Sequence, residues 1–146
     1  DPNAGGTFLR SRLDRGLRRE GKHALLEGFY RRLYALRRAH PALAKPDREN
    51  IGVALQDEAG VLTVRRRAGA AEAFFALNFS NKPGRVKLRL PGGNWLKLLD
   101  SADKRWGGPV GPAAERLAGA SAELELAPRS VALYGKKTAV QRRKHA

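Results

Sequence analysis

The sequence contains no cysteine and no methionine, and none of its apolar runs approaches the length of a membrane span. The lack of cysteine excludes disulfides, thiolate nucleophiles and cysteine-based zinc sites. A membrane-spanning helix needs about 18 or more apolar residues, and no charged leader followed by an apolar stretch and a cleavage site is present. These absences predict a cytoplasmic protein that is not bound to a membrane.

Acidic residues are also scarce, because 14 Asp and Glu face 29 Lys and Arg and leave a net charge of +15. Such a surface attracts phosphate backbones and acidic polymers. The cations, however, are scattered among Ala and Gly through helix-like and strand-like stretches alike, which favours a bias of composition. Binding of nucleic acid or an anionic polymer by a small basic module is therefore only the alternative function.

One long amphipathic helix stands out near the start of the chain. Residues 1–20 lack periodicity and predict a loop. From Lys22 apolar residues recur at steps of three and four, and His40 before Pro41 ends the pattern because a residue preceding proline avoids the helical region. The apolar stripe predicted for this helix consists of Leu25, Leu26, Phe29, Leu33 and Leu36. We expect the stripe to pack on a folded domain, since a helix of this kind must bury it.

After the helix the apolar period changes to two, and short runs are separated by frequent turns. This pattern predicts a mainly β fold, an antiparallel β-sandwich of about seven strands. It divides the chain into a loop and helix at 1–45, a sandwich at 46–135 and a basic, disordered tail at 136–146. The predicted strands are 51–55, 61–64, 73–77, 86–90, 95–99, 124–126 and 130–134.

Two pairs of carboxylates were candidates for chemistry, and neither pattern supports an active site. Glu123 and Glu125 alternate with Leu124 and Leu126, which places the glutamates on the solvent side of a strand. Asp100 and Asp103 match no calcium-loop spacing and are typical turn residues.

The remaining candidates are histidines and tryptophans. His23, His40 and His145 have no metal-ligand spacing, and no phosphate loop, dinucleotide fingerprint or nucleophile elbow is present. We therefore predict no catalytic, cofactor-binding or metal-binding residue and no cofactor. Trp95 begins an apolar strand and should be core, whereas Trp106 lies in a polar, glycine-rich loop and is a candidate carbohydrate contact.

The order of these segments resembles the end of enzymes in the α-amylase family of glycoside hydrolases. The similar stretches are HALLEGFYRRLYALRRAHPAL, AFFALNFSNKPGRVKLRLPGGNWLKLLDSADKRWGG and LELAPRSVALY. In that family the last helix of a (β/α)8 catalytic barrel precedes a C-terminal all-β sandwich. The segment TFLRSRLD before the helix is most similar to the trehalohydrolase branch of the family, and glycogen branching or debranching enzymes are the alternative.

The resemblance implies a part of a larger enzyme that hydrolyses an α-1,4-glucosidic bond and releases trehalose from malto-oligosyltrehalose. The catalytic aspartates and glutamate of the family lie on barrel strands that would precede Asp1, so no residue here inherits their roles. The α-glucan would be bound through that missing barrel. We expect the chain to be a supporting domain, inactive alone, with a helix that docks on the sandwich, self-associates or frays.

Overall fold

A computed structural model describes residues 4–45, 47–109 and 111–136 of the chain. Three helices come first, of which α1 spans Gly5–Ser11, α2 spans Gly21–Ala39 and α3 spans Pro41–Ala44. Helix α2 ends where the sequence predicts, because His40 has extended backbone angles and Pro41 starts the next helix. The basic tail predicted at 136–146 lies outside the described residues except for Lys136, which ends the last strand.

In the described ranges, eight strands follow the helices and form two antiparallel sheets. Their bounds are β1 Ile51–Gln56, β2 Val61–Ala68, β3 Ala71–Asn78, β4 Gly84–Arg89, β5 Asn94–Asp100, β6 Arg116–Ala118, β7 Ser121–Leu126 and β8 Ser130–Lys136. The large sheet has the order β1-β2-β3-β8-β5-β6, and β4 pairs with β7 in a small second sheet. The mainly β sandwich with a preceding helix is therefore confirmed.

The large sheet buries apolar side chains on both of its faces. Its sandwich-side face packs on the small sheet, and Phe74 is central there, with its ring stacked 4.9 Å from Tyr134 and edge-to-face 5.1 Å from Trp95. Trp95 is fully buried, as predicted. Side chains alternate along a strand, so neighbouring residues reach the opposite, helix-side face. There Leu36, Ala42, Leu43, Ala73, Leu99 and Leu133 form a second buried cluster with α2 and α3.

A buried asparagine fastens the turns at one end of the sandwich. The Asn78 side-chain amide donates to the backbone carbonyls of Lys82 and Ala127 at 2.8 and 2.9 Å, and its Oδ1 accepts from the Ser80 amide at 2.9 Å. The β3–β4 turn is thereby joined to the turn between β7 and β8. All the polar atoms of the Asn78 side chain are used in a site from which water is excluded.

Three sequence predictions need correction. The loop expected over residues 1–20 contains helix α1 and a 3₁₀ turn at Leu17–Arg19. Strand β6 was missed because three residues are too few to show a period. The predicted stripe on α2 is only partly buried, because Leu25 and Leu26 remain exposed. Among the described residues, no helix is both long and apolar enough to cross a membrane.

Candidate docking surface

The loop after β5 is shaped by its two aspartates. Asp100 Oδ1 accepts from the Ala102 amide, and Asp103 Oδ1 accepts from the Arg105 amide, both at 2.9 Å. Asp103 thereby caps the 3₁₀ turn Lys104–Trp106. The hydrogen bond from the Arg105 side chain holds the pKa of Asp103 below its ordinary value. Both aspartates thus act in the turn, which agrees with the structural interpretation of their sequence pattern.

This loop delivers Trp106 to helix α2. The indole packs edge-to-face on Phe29, with ring centroids 5.7 Å apart, and lies against Gly28. The Arg105 guanidinium lies 5.5 Å from the centroid of the indole. Trp106 is half-buried at the junction between α2 and the sandwich. Its part in sugar binding stays a prediction.

Asp100 also belongs to a polar cluster beneath the loop. Its Oδ2 is buried without a hydrogen-bond partner and lies 4.0 Å from Lys97 Nζ. The Lys97 ammonium also contacts Glu115 Oε1 and the Ala113 carbonyl, each at 2.7 Å. Burial, with the nearby Asp100 and Glu115 charges, raises the pKa of Tyr134, whose hydroxyl donates to the Ala114 carbonyl. These groups tie β5, β8 and the segment before β6 together.

The other carboxylate pair lies on the outside of the small sheet. Glu123 and Glu125 are exposed while Leu124 and Leu126 are buried, as the alternation predicted. Arg85 reaches both glutamates, with nitrogen–oxygen distances of 3.8 and 3.6 Å. Glu123 also lines an open cleft of about 460 Å³ with Asp57, Glu58, Arg85 and Lys87. No group of three or more potential metal ligands occurs in the described part of the chain.

The histidines are separated by the fold. His23 lies in the first turns of α2, and His145 lies outside the described residues. His40 joins α2 to α3, where burial lowers its pKa and leaves Nδ1 without a hydrogen-bond partner. A Cβ placed on Gly135 would lie 3.0 Å from His40 Nε2, so the imidazole packs directly on strand β8.

The arginines of β2 point to different surfaces of the large sheet. Arg65 pairs with Glu72, while Arg66, its neighbour, points to the opposite face and donates to the Lys45 carbonyl. On β4 a second row of cations alternates with buried apolar residues and is exposed on the small sheet, namely Arg85, Lys87 and Arg89.

Helix α2 carries a second apolar row that is largely exposed. Leu26, Tyr30 and Tyr34, the docking row, are spaced by four residues and therefore lie along one side of the helix. Their side chains are 53%, 52% and 59% exposed, respectively. By contrast, Phe29 and Leu33 are partly buried and Leu36 is buried on the sheet. Only one of the two apolar sides of this helix is covered.

A groove of about 480 Å³ follows the docking row where α2 meets the sheet. Tyr30 and Tyr34 form one wall, and Leu133 and Phe75 belong to the sheet below. The groove is also lined by Leu33, Leu36, Arg37, Leu43 and Arg66. The docking row and groove make a continuous, mainly apolar surface with cationic groups beside it. Chemically, this surface suits contact with another folded unit.

The sequence prediction missed this surface because it recognised a single apolar stripe on α2 and assigned Leu26 to it. Tyr30 and Tyr34 were left out of that stripe, although their spacing from Leu26 carries the signal. Two apolar rows on adjacent sides of a helix indicate contacts with two different surfaces.

Comparison with known proteins agrees with this architecture. A family model described as the alpha amylase C-terminal all-beta domain matches residues 54–137, and the chain belongs to this family. The malto-oligosyltrehalose trehalohydrolase of Rhizobium sp. (strain M-11) is 36% identical over 102 residues, which cover 70% of this chain and 16% of that protein. The malto-oligosyltrehalose trehalohydrolase of Deinococcus radiodurans is 37% identical over 92 residues, which cover 62% of this chain and 15% of that protein.

Solved structures show the same fold. The trehalulose synthase MutB from Pseudomonas mesoacidophila MX-45 aligns with a TM-score of 0.52 and 28% identity, over 75% of this chain and 17% of that one. AmyP, solved in complex with maltotriose, aligns with a TM-score of 0.59 and 20% identity, over 82% of this chain and 22% of that one. The chain thus spans about a sixth of the length of the curated relatives it matches.

Proposed function

We propose that this chain is the supporting C-terminal part of a glycoside hydrolase that releases trehalose from malto-oligosyltrehalose. The observation that carries the proposal is the two-sided helix α2, with one apolar side packed on the sandwich and the other exposed. The names of the two curated relatives support the choice of substrate.

The docking row is suited to pack against a catalytic domain. Burying apolar surface stabilises a protein by about 25 cal/mol per Å². Three large side chains exposed on one side of a helix would therefore stabilise a contact with a second domain that buried them. The last helix of a catalytic barrel needs two apolar sides, because it packs on the barrel and on the domain that follows. Helix α2 has both. Leu36 and Phe29 lie on its covered side, where they pack with Trp106 and the sheet.

The two carboxylate pairs considered from the sequence are in unsuitable positions for glycoside hydrolysis. That reaction requires two carboxyl groups about 5–10 Å apart on either side of a bound sugar. Glu123 and Glu125 lie side by side on one strand face with Arg85 between them. Asp100 is buried under its loop, and Asp103 caps a turn. We therefore assign the catalytic acids and the binding of the α-glucan to the catalytic domain of the enzyme.

A chimaera tests the proposal. This chain would replace the matching segment of the Deinococcus radiodurans trehalohydrolase, and trehalose release from malto-oligosyltrehalose would be measured. We expect the chimaera to be active and the 146-residue chain alone to be inactive. Hydrolysis by the chain alone would overturn the supporting role. A folded but inactive chimaera, beside an active chimaera made with a branching-enzyme catalytic domain, would favour the branching-enzyme alternative.

A second candidate function rests on the exposed cationic row Arg85, Lys87 and Arg89 of β4. A basic strand surface can follow an anionic backbone, and such binding weakens steeply as salt rises. Titration of the chain with duplex DNA and RNA across a salt series tests this. Tight binding at physiological salt that is lost in the variant Lys87→Glu would support the binding module over the supporting domain.

A further inference from the structure

Among the described residues, β1 is an edge strand of the large sheet and pairs only with β2. We propose that this edge pairs antiparallel with β1 of a second copy of the chain and joins two large sheets into one. The proposal does not depend on the trehalohydrolase assignment. It concerns the β1 edge of the large sheet, which is the opposite edge from β5 and β6.

The backbone of β1 has one row of groups directed away from β2. The Arg67 amide donates to the Asn50 carbonyl at 3.1 Å, which makes 50 and 67 a hydrogen-bonded pair. Hydrogen-bonded and non-hydrogen-bonded pairs alternate along an antiparallel ladder. The even-numbered residues of β1 therefore bond to β2, and the outward N–H and C=O groups belong to Ile51, Val53 and Leu55.

This edge lacks the features with which strand edges are usually protected. Natural edges carry charged side chains, proline or bulges that block pairing with another chain. The six residues of β1 read IGVALQ, with no charge and no proline, and their register with β2 is regular. Val53 and Leu55 are 63% and 61% exposed on the helix-side face.

The outward-facing backbone groups of Ile51, Val53 and Leu55 are complementary to the same groups of a second copy. An antiparallel pair with its two-fold axis at Val53 places Ile51 opposite Leu55 of the second copy and Val53 opposite its own equivalent. All three residues then form hydrogen-bonded pairs, so six backbone hydrogen bonds are made across the joint. The apolar side chains of both copies meet on one face, where cross-strand pairs stabilise a sheet.

Charge and length set the expected strength of the dimer. The net charge of +15 opposes self-association, but none of the six residues of β1 is charged. The joint is short, because a 3₁₀ turn at Asp57–Ala59 ends β1, so the interface is far smaller than the standard of about 1,600 Å². We expect reversible, concentration-dependent dimers that become tighter as salt screens the net repulsion.

Sedimentation velocity of the 146-residue chain over a concentration and salt series tests the proposal. The key variant is Val53→Pro, because the Val53 N–H faces outward and its loss removes no hydrogen bond to β2. Val53→Thr is the matched control that keeps the N–H. Tyr30→Arg reports separately on association through helix α2. Circular dichroism and the melting temperature check that each variant is folded.

We expect the parent chain, Val53→Thr and Tyr30→Arg to form dimers, and Val53→Pro to remain monomeric with little change in melting temperature. If Val53→Pro does unfold, Val53→Lys replaces it, since two lysines at the axis repel while β1–β2 pairing is kept. A monomeric parent chain at every soluble concentration would overturn the proposal. So would a dimer that survives both edge variants or that is lost only in Tyr30→Arg.

Discussion

The indole of Trp106 meets the phenyl ring of Phe29 edge to face, with ring centroids 5.7 Å apart. This contact joins the loop after β5 to helix α2, which are 77 residues apart in the chain by their numbers. Gly107 follows Trp106 with φ +81°, and a Cβ there would lie 3.2 Å from Leu25 Cδ1. The helix and the sandwich are therefore held together by specific packing at the N-terminal half of α2.

Replacement of Trp106 by alanine should loosen α2 from the sandwich. Loss of a half-buried indole and of its aromatic pair should lower the free energy of unfolding by about 2 kcal/mol. Trp106→Phe, which keeps a ring against Phe29, should cost less than half of that. Chemical denaturation measures both. Titration with a malto-oligosaccharide separates the predicted sugar contact, since only that role would make binding depend on Trp106.

Two glycines at the helix–sheet junction should respond in opposite directions to alanine. A Cβ on Gly28 would lie 3.5 Å from the Trp106 ring, an ordinary contact, and alanine favours helix by about 1 kcal/mol. Gly28→Ala should therefore raise the melting temperature. A Cβ on Gly135 would lie 2.8 Å from Leu98 Cδ1 and 3.0 Å from His40 Nε2. Gly135→Ala should lower the melting temperature, and equal shifts in both variants would contradict this packing.

Asn78 should be among the least replaceable polar residues. Asn78→Ala would leave the carbonyl of Lys82 and the amide of Ser80 without their side-chain partner, at a cost of about 2–3 kcal/mol. The Ala127 carbonyl would keep only the hydrogen bond from the Ser130 hydroxyl. Asn78→Asp should cost at least as much, because a carboxylate cannot donate to the carbonyls of Lys82 and Ala127. Ser80→Ala is the control in the same turn, because it removes only a half-buried hydroxyl that accepts from the Lys82 amide. Urea denaturation of the three variants gives the comparison, and wild-type stability of Asn78→Ala would contradict the assignment.

The chain should lose stability as the pH falls below about 6.5 because of His40. Burial lowers the pKa of His40 in the folded state, so the unfolded chain takes up the proton first and is favoured as protons are added. Glu72 acts at lower pH, because burial would raise its pKa but hydrogen bonds from Arg65 and Lys136 hold it below 4.5. Its contribution is present at neutral pH and is lost only as the pH falls towards that folded-state pKa.

The variant His40→Gln isolates the histidine. The free energy of unfolding of the parent chain should decline between pH 6.5 and 4.5, and that of the variant should change less over the same interval. Identical slopes in the two proteins would show that His40 does not titrate differently on unfolding.

Much of the fold follows from local sequence patterns. Alternation of apolar residues identified seven strands, and the period of α2 with Pro41 fixed that helix and its end. Long-range pairing was outside the reach of these patterns, since nothing local says that β3 lies beside β8 or that β4 leaves the large sheet for β7. Helix α1 was missed because its seven residues begin with two glycines, which disfavour helix.

The candidate surface was harder to predict than the fold. The burial of Trp95 follows from its position in an apolar strand, whereas the packing of Trp106 on Phe29 depends on two segments that meet only in the folded chain. The docking row could have been found by its spacing of four residues. Its exposure could not, because the sequence does not say which side of α2 the sandwich covers.

The most direct test of the account is the effect of Tyr30→Arg in two settings, the 146-residue chain and the chimaera with the Deinococcus radiodurans catalytic domain. Tyr30 is exposed in the 146-residue chain, so Tyr30→Arg should change the melting temperature of that chain only slightly, as is typical of a surface substitution. In the chimaera the arginine should lower the melting temperature and the trehalose release together, because a charge would be buried at the docking row. Equal melting-temperature shifts in both settings, with trehalose release unchanged, would contradict the proposal that α2 docks on a catalytic domain.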